Sequence, residues 1–68
     1  MQRKQYLELC QEYAVGEDIR VKYKDFEYRP YRYELGFDKQ GNSTHTAILK
    51  DLKANSIVYV MLKDIKEC

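Results

Sequence analysis

In 68 residues this chain carries one histidine, two cysteines, three glycines and one proline. Each scarcity removes a class of function. A lone histidine, with both cysteines distant in sequence, leaves no ligand spacing for a zinc site. His45 therefore reads as a structural or solvent-facing side chain, and no metal or cofactor is expected. Glycines at 16, 36 and 41 stand too far apart for a phosphate-cradling loop. No apolar run approaches the roughly 20 residues needed to span a bilayer, and the first residues lack the apolar centre of a secretory signal. A cytoplasmic location without membrane contact is the expectation.

Charge of one sign is missing as well. Twelve bases stand against eleven acids, a net charge of +1, too small for a global field that draws in nucleic acid or membrane. The distribution is uneven, however. From Arg20 to Arg32, five bases (Arg20, Lys22, Lys24, Arg29, Arg32) face two acids (Asp25, Glu27), a local +3. A Cys10–Cys68 disulfide is not expected in a reducing compartment. Cys10 belongs to an apolar helical stripe and Cys68 is a bystander.

What is present suits a folded domain. With 44% hydrophobic residues, including seven tyrosines, the chain has the apolar area that disordered tails lack. One domain of this size, residues 1–68, buries only about 60% of its unfolded surface, so both a monomer and a stabilising homodimer are consistent with it. Tyr6, Leu9, Cys10, Tyr13 and Ala14 recur at three-four spacing and predict an amphipathic helix over about 2–14, closed by Gly16. Alternation then predicts strands at about 19–23, 26–29, 31–37, 44–50 and 56–62.

Lys24-Asp25, the run Asp38–Ser43 and Asp51–Asn55 supply the turns. Pro30 has no amide proton and marks an edge, a bulge or a strand boundary. In the segment Tyr31–Phe37, Tyr31, Tyr33, Leu35 and Phe37 are expected on one face and Arg32 and Glu34 on the other. Residues 57–62 are apolar on both faces, which predicts a central strand covered on one side by the helix. The fold class is α+β, mainly β: a short N-terminal helix followed by a four- or five-stranded antiparallel meander. A small SH3-like barrel is favoured over an open sheet, because the strands are short and Pro30 and Gly36 offer bend points.

Catalytic patterns are not found. Ser43, Thr44 and His45 are neighbours, but adjacent strand side chains diverge, so that spacing does not join a nucleophile to a base. The carboxylates fall in turns or alternate with bases. A non-enzymatic interaction module is the expected class.

Two surfaces compete as its site. The first, for a protein partner, is an exposed edge strand or the Tyr28-Arg29-Pro30-Tyr31 region, where a bulge at Pro30 gathers Tyr28, Arg29 and Tyr31, arginine and tyrosine being favoured at hot spots. The second is the basic segment 20–32, with Arg20, Lys22, Lys24, Arg29 and Arg32 on phosphate and Phe26 or Tyr28 stacking on a base of single-stranded nucleic acid. The candidate binding residues are thus Tyr28, Arg29, Tyr31, Arg32, Lys22 and Lys24. Alternation argues against the second reading, since it sends rings and cations to opposite faces.

The stretches Tyr33-Glu34-Leu35-Gly36-Phe37-Asp38, Thr46-Ala47-Ile48-Leu49-Lys50-Asp51 and Lys53–Val60 resemble small uncharacterised proteins of conjugative elements and prophages in Gram-positive bacteria. The resemblance implies an accessory protein of a mobile element and transfers no functional residue.

Overall fold

A computed structural model describes residues 1–68. Its first element is helix α1, Arg3–Ala14. This stretch contains no glycine, proline or β-branched residue, and its straight-chain side chains lose little freedom in a helix. It ends in a paired cap: the Gly16 amide donates to Tyr13 O and the Glu17 amide to Glu12 O, both at 3.0 Å. Gly16 sits at φ +102°, the left-handed conformation that this cap requires.

Five strands follow: β1 Val21–Tyr23, β2 Phe26–Phe37, β3 Ser43–Asp51, β4 Ile57–Met61 and β5 Lys66–Glu67, with a 3-10 turn at Leu62–Asp64 before the last. They form one antiparallel sheet in the order β4-β3-β2-β1-β5. Lys24 (φ 49°) and Asp25 (φ 67°) form a two-residue hairpin with both central residues left-handed, the turn whose twist matches that of its strands. The other two loops are organised by aspartates. Asp38 Oδ1 accepts the amides of Gln40 and Asn42, and Asp51 Oδ1 accepts those of Lys53 and Ala54.

The sheet does not close. The favoured SH3-like barrel gives way to an open sheet whose edges are β4 and β5. With two residues, β5 has length only to pair with β1, through Val21↔Glu67 and Lys22↔Lys66. Helix α1 packs on one face of the sheet, mainly against β2, and its Tyr6 is buried in a core with Val21, Ala47, Leu49, Val60, Leu62 and Ile65.

Three further expectations change. The strands at 26–29 and 31–37 are one strand, because Pro30 sits inside β2 as a bulge rather than at a boundary: Pro30 faces Leu49 and Arg32 faces Ile48, leaving Tyr31 as an extra residue. From Arg32 to Phe37 the register then runs unbroken, so Gly36 is no bend point. It lies opposite Thr44, where an added Cβ would come within 2.9 Å of Thr44 Oγ1. Finally, β4 is an edge strand, not a central one, and Ile57, Tyr59 and Met61 on its outer side are about half or more exposed.

The bulge is tied to the helix. Tyr6 donates its hydroxyl to Ile48 O at 3.0 Å, beside the interrupted ladder. Burial, and then the neighbouring Cys10 thiol, push the Tyr6 hydroxyl well above its ordinary pKa, so it stays a donor. Replacing Tyr6 by Phe removes this bond from a part-buried carbonyl, a loss of about 1 kcal/mol. Urea unfolding checks this: Y6F should lower the midpoint markedly while Tyr13→Phe leaves it in place, and an unchanged midpoint for Y6F would contradict the role assigned to the hydroxyl.

Candidate binding face

Strand alternation assigns the faces. Val21, Tyr28, Pro30, Tyr33, Ala47, Leu49, Val58 and Val60 face the helix, as their burial or packing against the core shows. The other face of β2, β3 and β4 carries Arg32, Glu34, Thr44, Thr46, Ile48, Lys50, Ile57, Tyr59 and Met61. No element covers this second face.

The bulge changes what stands on it. One extra residue shifts the parity of the strand, so Tyr31 joins Arg32 instead of opposing it. The contacts agree. Lys50 Nζ lies 4.4 Å and Arg32 Cζ 4.9 Å from the Tyr31 ring centroid, within cation–π range. Register places Ile48 between Arg32 and Tyr59, and Thr46 between Glu34 and Met61. The open face therefore carries a ring with two cations close to it, continued by Tyr59 (64% exposed) and by aliphatic side chains. Lys50 and Tyr59 are members that sequence reasoning missed. A bulge at Pro30, carried through to its effect on parity, would have found Lys50.

The remaining sequence candidates are dispersed. Tyr28 turns to the helix side, where its ring packs 6.4 Å from that of Tyr23. Lys24 is at the hairpin tip over the Tyr23 ring, 5.3 Å from its centroid. Lys22 is exposed in β1, between Glu27 and Lys66. Arg29 donates to Asp18 at 2.8 Å and lies over the Tyr13 ring at 5.8 Å. Arg20 bridges Asp18 (3.5 Å) and Glu27 (3.4 Å). The local charge excess is thus partly compensated within the molecule, with Asp18 contributed from outside the segment.

His45 shares a hydrogen bond through Nδ1 with the Tyr33 hydroxyl, and the two rings stack at 5.9 Å. Its contact is with the neighbouring strand β2 and not with Ser43 or Thr44. It borders a hollow of about 480 Å³ between the start of α1 and the 3-10 turn, alongside Arg3, Asp38 and Lys63. No group of three or more His, Cys, Asp or Glu side chains is placed to hold a metal ion, and no helix is long and apolar enough to cross a membrane. Cys10 and Cys68 are both free thiols.

Comparison with known proteins finds no matching family model, no matching curated protein and no matching solved structure.

The electrostatics outside the face stabilise the loops. A hydrogen bond from Arg29, helped by the charge of Arg20, holds the Asp18 carboxyl below the usual range. Backbone amides do the same for Asp38 and Asp51, led by those of Asn42 and Lys53 respectively. A carboxyl whose pKa is depressed by folding contributes stability above its unfolded value and loses it as pH falls through the folded one. Thermal midpoints should therefore be level from neutrality down to mildly acid solution and fall below about pH 4, where these groups begin to protonate in the unfolded chain. The triple variant D18N/D38N/D51N should show a shallower acid slope, and an identical slope would contradict this assignment.

Proposed function

We infer that this protein is a non-enzymatic binding module whose open sheet face takes a protein partner. The observation that carries this reading is the clustering of Tyr31, Arg32, Lys50 and Tyr59 beside exposed Ile57 and Met61. Rings whose motion is already restricted lose little entropy on binding, and tyrosine and arginine dominate protein hot spots. The occupant that fits is an extended segment mixing carboxylates with aliphatic side chains. Its acids would meet Arg32 and Lys50, and its apolar groups would cover Ile48, Ile57, Tyr59 and Met61.

A second reading has one observation in its favour. Rings and cations share this face, as a single-stranded nucleic acid would require. Two features weigh against it. The Tyr31 ring already has two cations as close neighbours, and aliphatic groups contribute little to holding a base.

The order of elements also supports an SH3-like ancestry of the fold: four strands in hairpin order, one 3-10 turn, and a fifth strand returning to β1. In this reading the domain is an open variant of that architecture. The resemblance noted in Tyr33–Asp38, Thr46–Asp51 and Lys53–Val60 supports an accessory role in a mobile element of a Gram-positive bacterium, acting in the cytoplasm.

Short synthetic peptides alternating Asp or Glu with Leu or Ile test the reading by amide chemical-shift mapping. Saturable shifts should appear at Tyr31, Lys50 and Tyr59, and Tyr59→Ala should weaken binding about tenfold or more. Shifts confined to α1 would overturn it. Binding of an oligothymidylate at the same residues, lost steeply with added salt, would replace it with the nucleic-acid reading.

A further inference from the structure

The two edges of the sheet are treated unequally. One edge, β5, is two residues long and both are charged, Lys66 and Glu67. Short length and charge are the devices by which proteins keep a strand edge from pairing with another chain. The other edge, β4, has five residues, Ile57-Val58-Tyr59-Val60-Met61, with no charge, no proline and no bulge against β3. Its outer side chains are exposed: Ile57 at 48%, Tyr59 at 64% and Met61 at 50%. An edge so free of protection is either a liability or an interface.

We propose that β4 pairs antiparallel with β4 of a second copy, joining two five-stranded sheets into one. The strand is self-complementary about Tyr59. In a two-fold pairing, Tyr59 falls opposite Tyr59 of the partner subunit, Ile57 opposite Met61 of the partner subunit, and Val58 opposite Val60 of the partner subunit. Apolar groups meet apolar groups on both faces, as a two-fold interface demands of a single patch. The pairing is confined to Ile57–Met61, because Asn55 is left-handed before the strand and a 3-10 turn begins at Leu62 after it. The helix does not stand in the way of this geometry, because its main packing is on β2, two strands from the edge.

A second copy fits this edge better than an unrelated strand does. The match of positions 57 and 61, and of 58 and 60, is a property of this sequence alone. A domain of this size also buries few residues, eight in this structure, and association adds apolar burial that a small core cannot supply. The pairing would place two copies of the Tyr31-Arg32-Lys50 cluster on one continuous face, flanking a central pair of Tyr59 rings. It does not depend on which class of partner occupies that face.

Sedimentation equilibrium of the full chain across micromolar to millimolar concentration tests the proposal. The wild type should show a monomer–dimer equilibrium. Ile57→Lys alone and Met61→Lys alone should each weaken the dimer about tenfold or more, since each substitution occurs twice in the symmetric pair. The double variant I57K/M61E should restore it, because the register sets each new lysine opposite a glutamate. All these positions are outward-facing, and circular dichroism confirms that each variant is folded. A wild type that stays monomeric at millimolar concentration would overturn the proposal. So would a double variant no better associated than I57K, which would indicate non-specific association. Peptide binding to the open face, measured on the wild type, separates failure of this pairing from failure of the partner reading.

Discussion

One inserted residue, Tyr31, sets the arrangement of this molecule. Pro30 brings no amide to the ladder between β2 and β3, and the strand accommodates it by slipping one position at Tyr31. The broken ladder leaves the Ile48 carbonyl beside the slip, and the helix supplies its partner through the Tyr6 hydroxyl. Tyr6 is at once the largest fully buried side chain and a hydrogen-bond donor into the sheet. Helix position and strand register are therefore not independent: moving either one breaks the part-buried Tyr6–Ile48 hydrogen bond.

The slip has consequences on both faces. On the covered side it keeps Tyr33 and Pro30 in line with Ala47 and Leu49, so the core stays continuous across the irregularity. On the open side it brings an aromatic ring to two cations that strict alternation would have kept apart. The same parity rule governs β4, where three apolar side chains are directed away from the helix. A small domain with one helix can cover only one face of its sheet. The apolar groups on the other face, and on the bare edge, are left without cover.

Much of this was legible in the chain. The three-four spacing of Tyr6, Leu9 and Cys10 gave the helix, and Gly16 marked its end. Alternation gave the strands and the turn residues gave the hairpins. The fold class follows from these local signals alone. The rest depended on contacts distant in sequence. Ile57–Met61 reads as a buried central strand because its composition is that of one, yet strand order, which composition does not encode, puts it at the edge. Phe26 and Phe37, at the two ends of β2, are likewise apolar and exposed. Of seven tyrosines expected to fill the core, only Tyr6 is fully buried, and the basic cluster at 20–32 is partly compensated by Asp18, which lies outside it. The proposed binding face was half visible. A bulge near Pro30 was foreseeable, but its effect on parity required knowing that the strand continues through it.

Side-chain proton shifts of Lys50 test the central claim most directly. If Tyr31 is the inserted residue and faces outward, the ring current moves the Lys50 ε-methylene protons upfield, and cross-peaks connect them to the Tyr31 ring. The same protons should return to ordinary positions in Tyr31→Leu. Lys50 methylene protons at unperturbed shifts in the wild type, or a Tyr31 ring with cross-peaks to Leu49 and Tyr33 instead, would show that the strand keeps its regular alternation and would contradict the account.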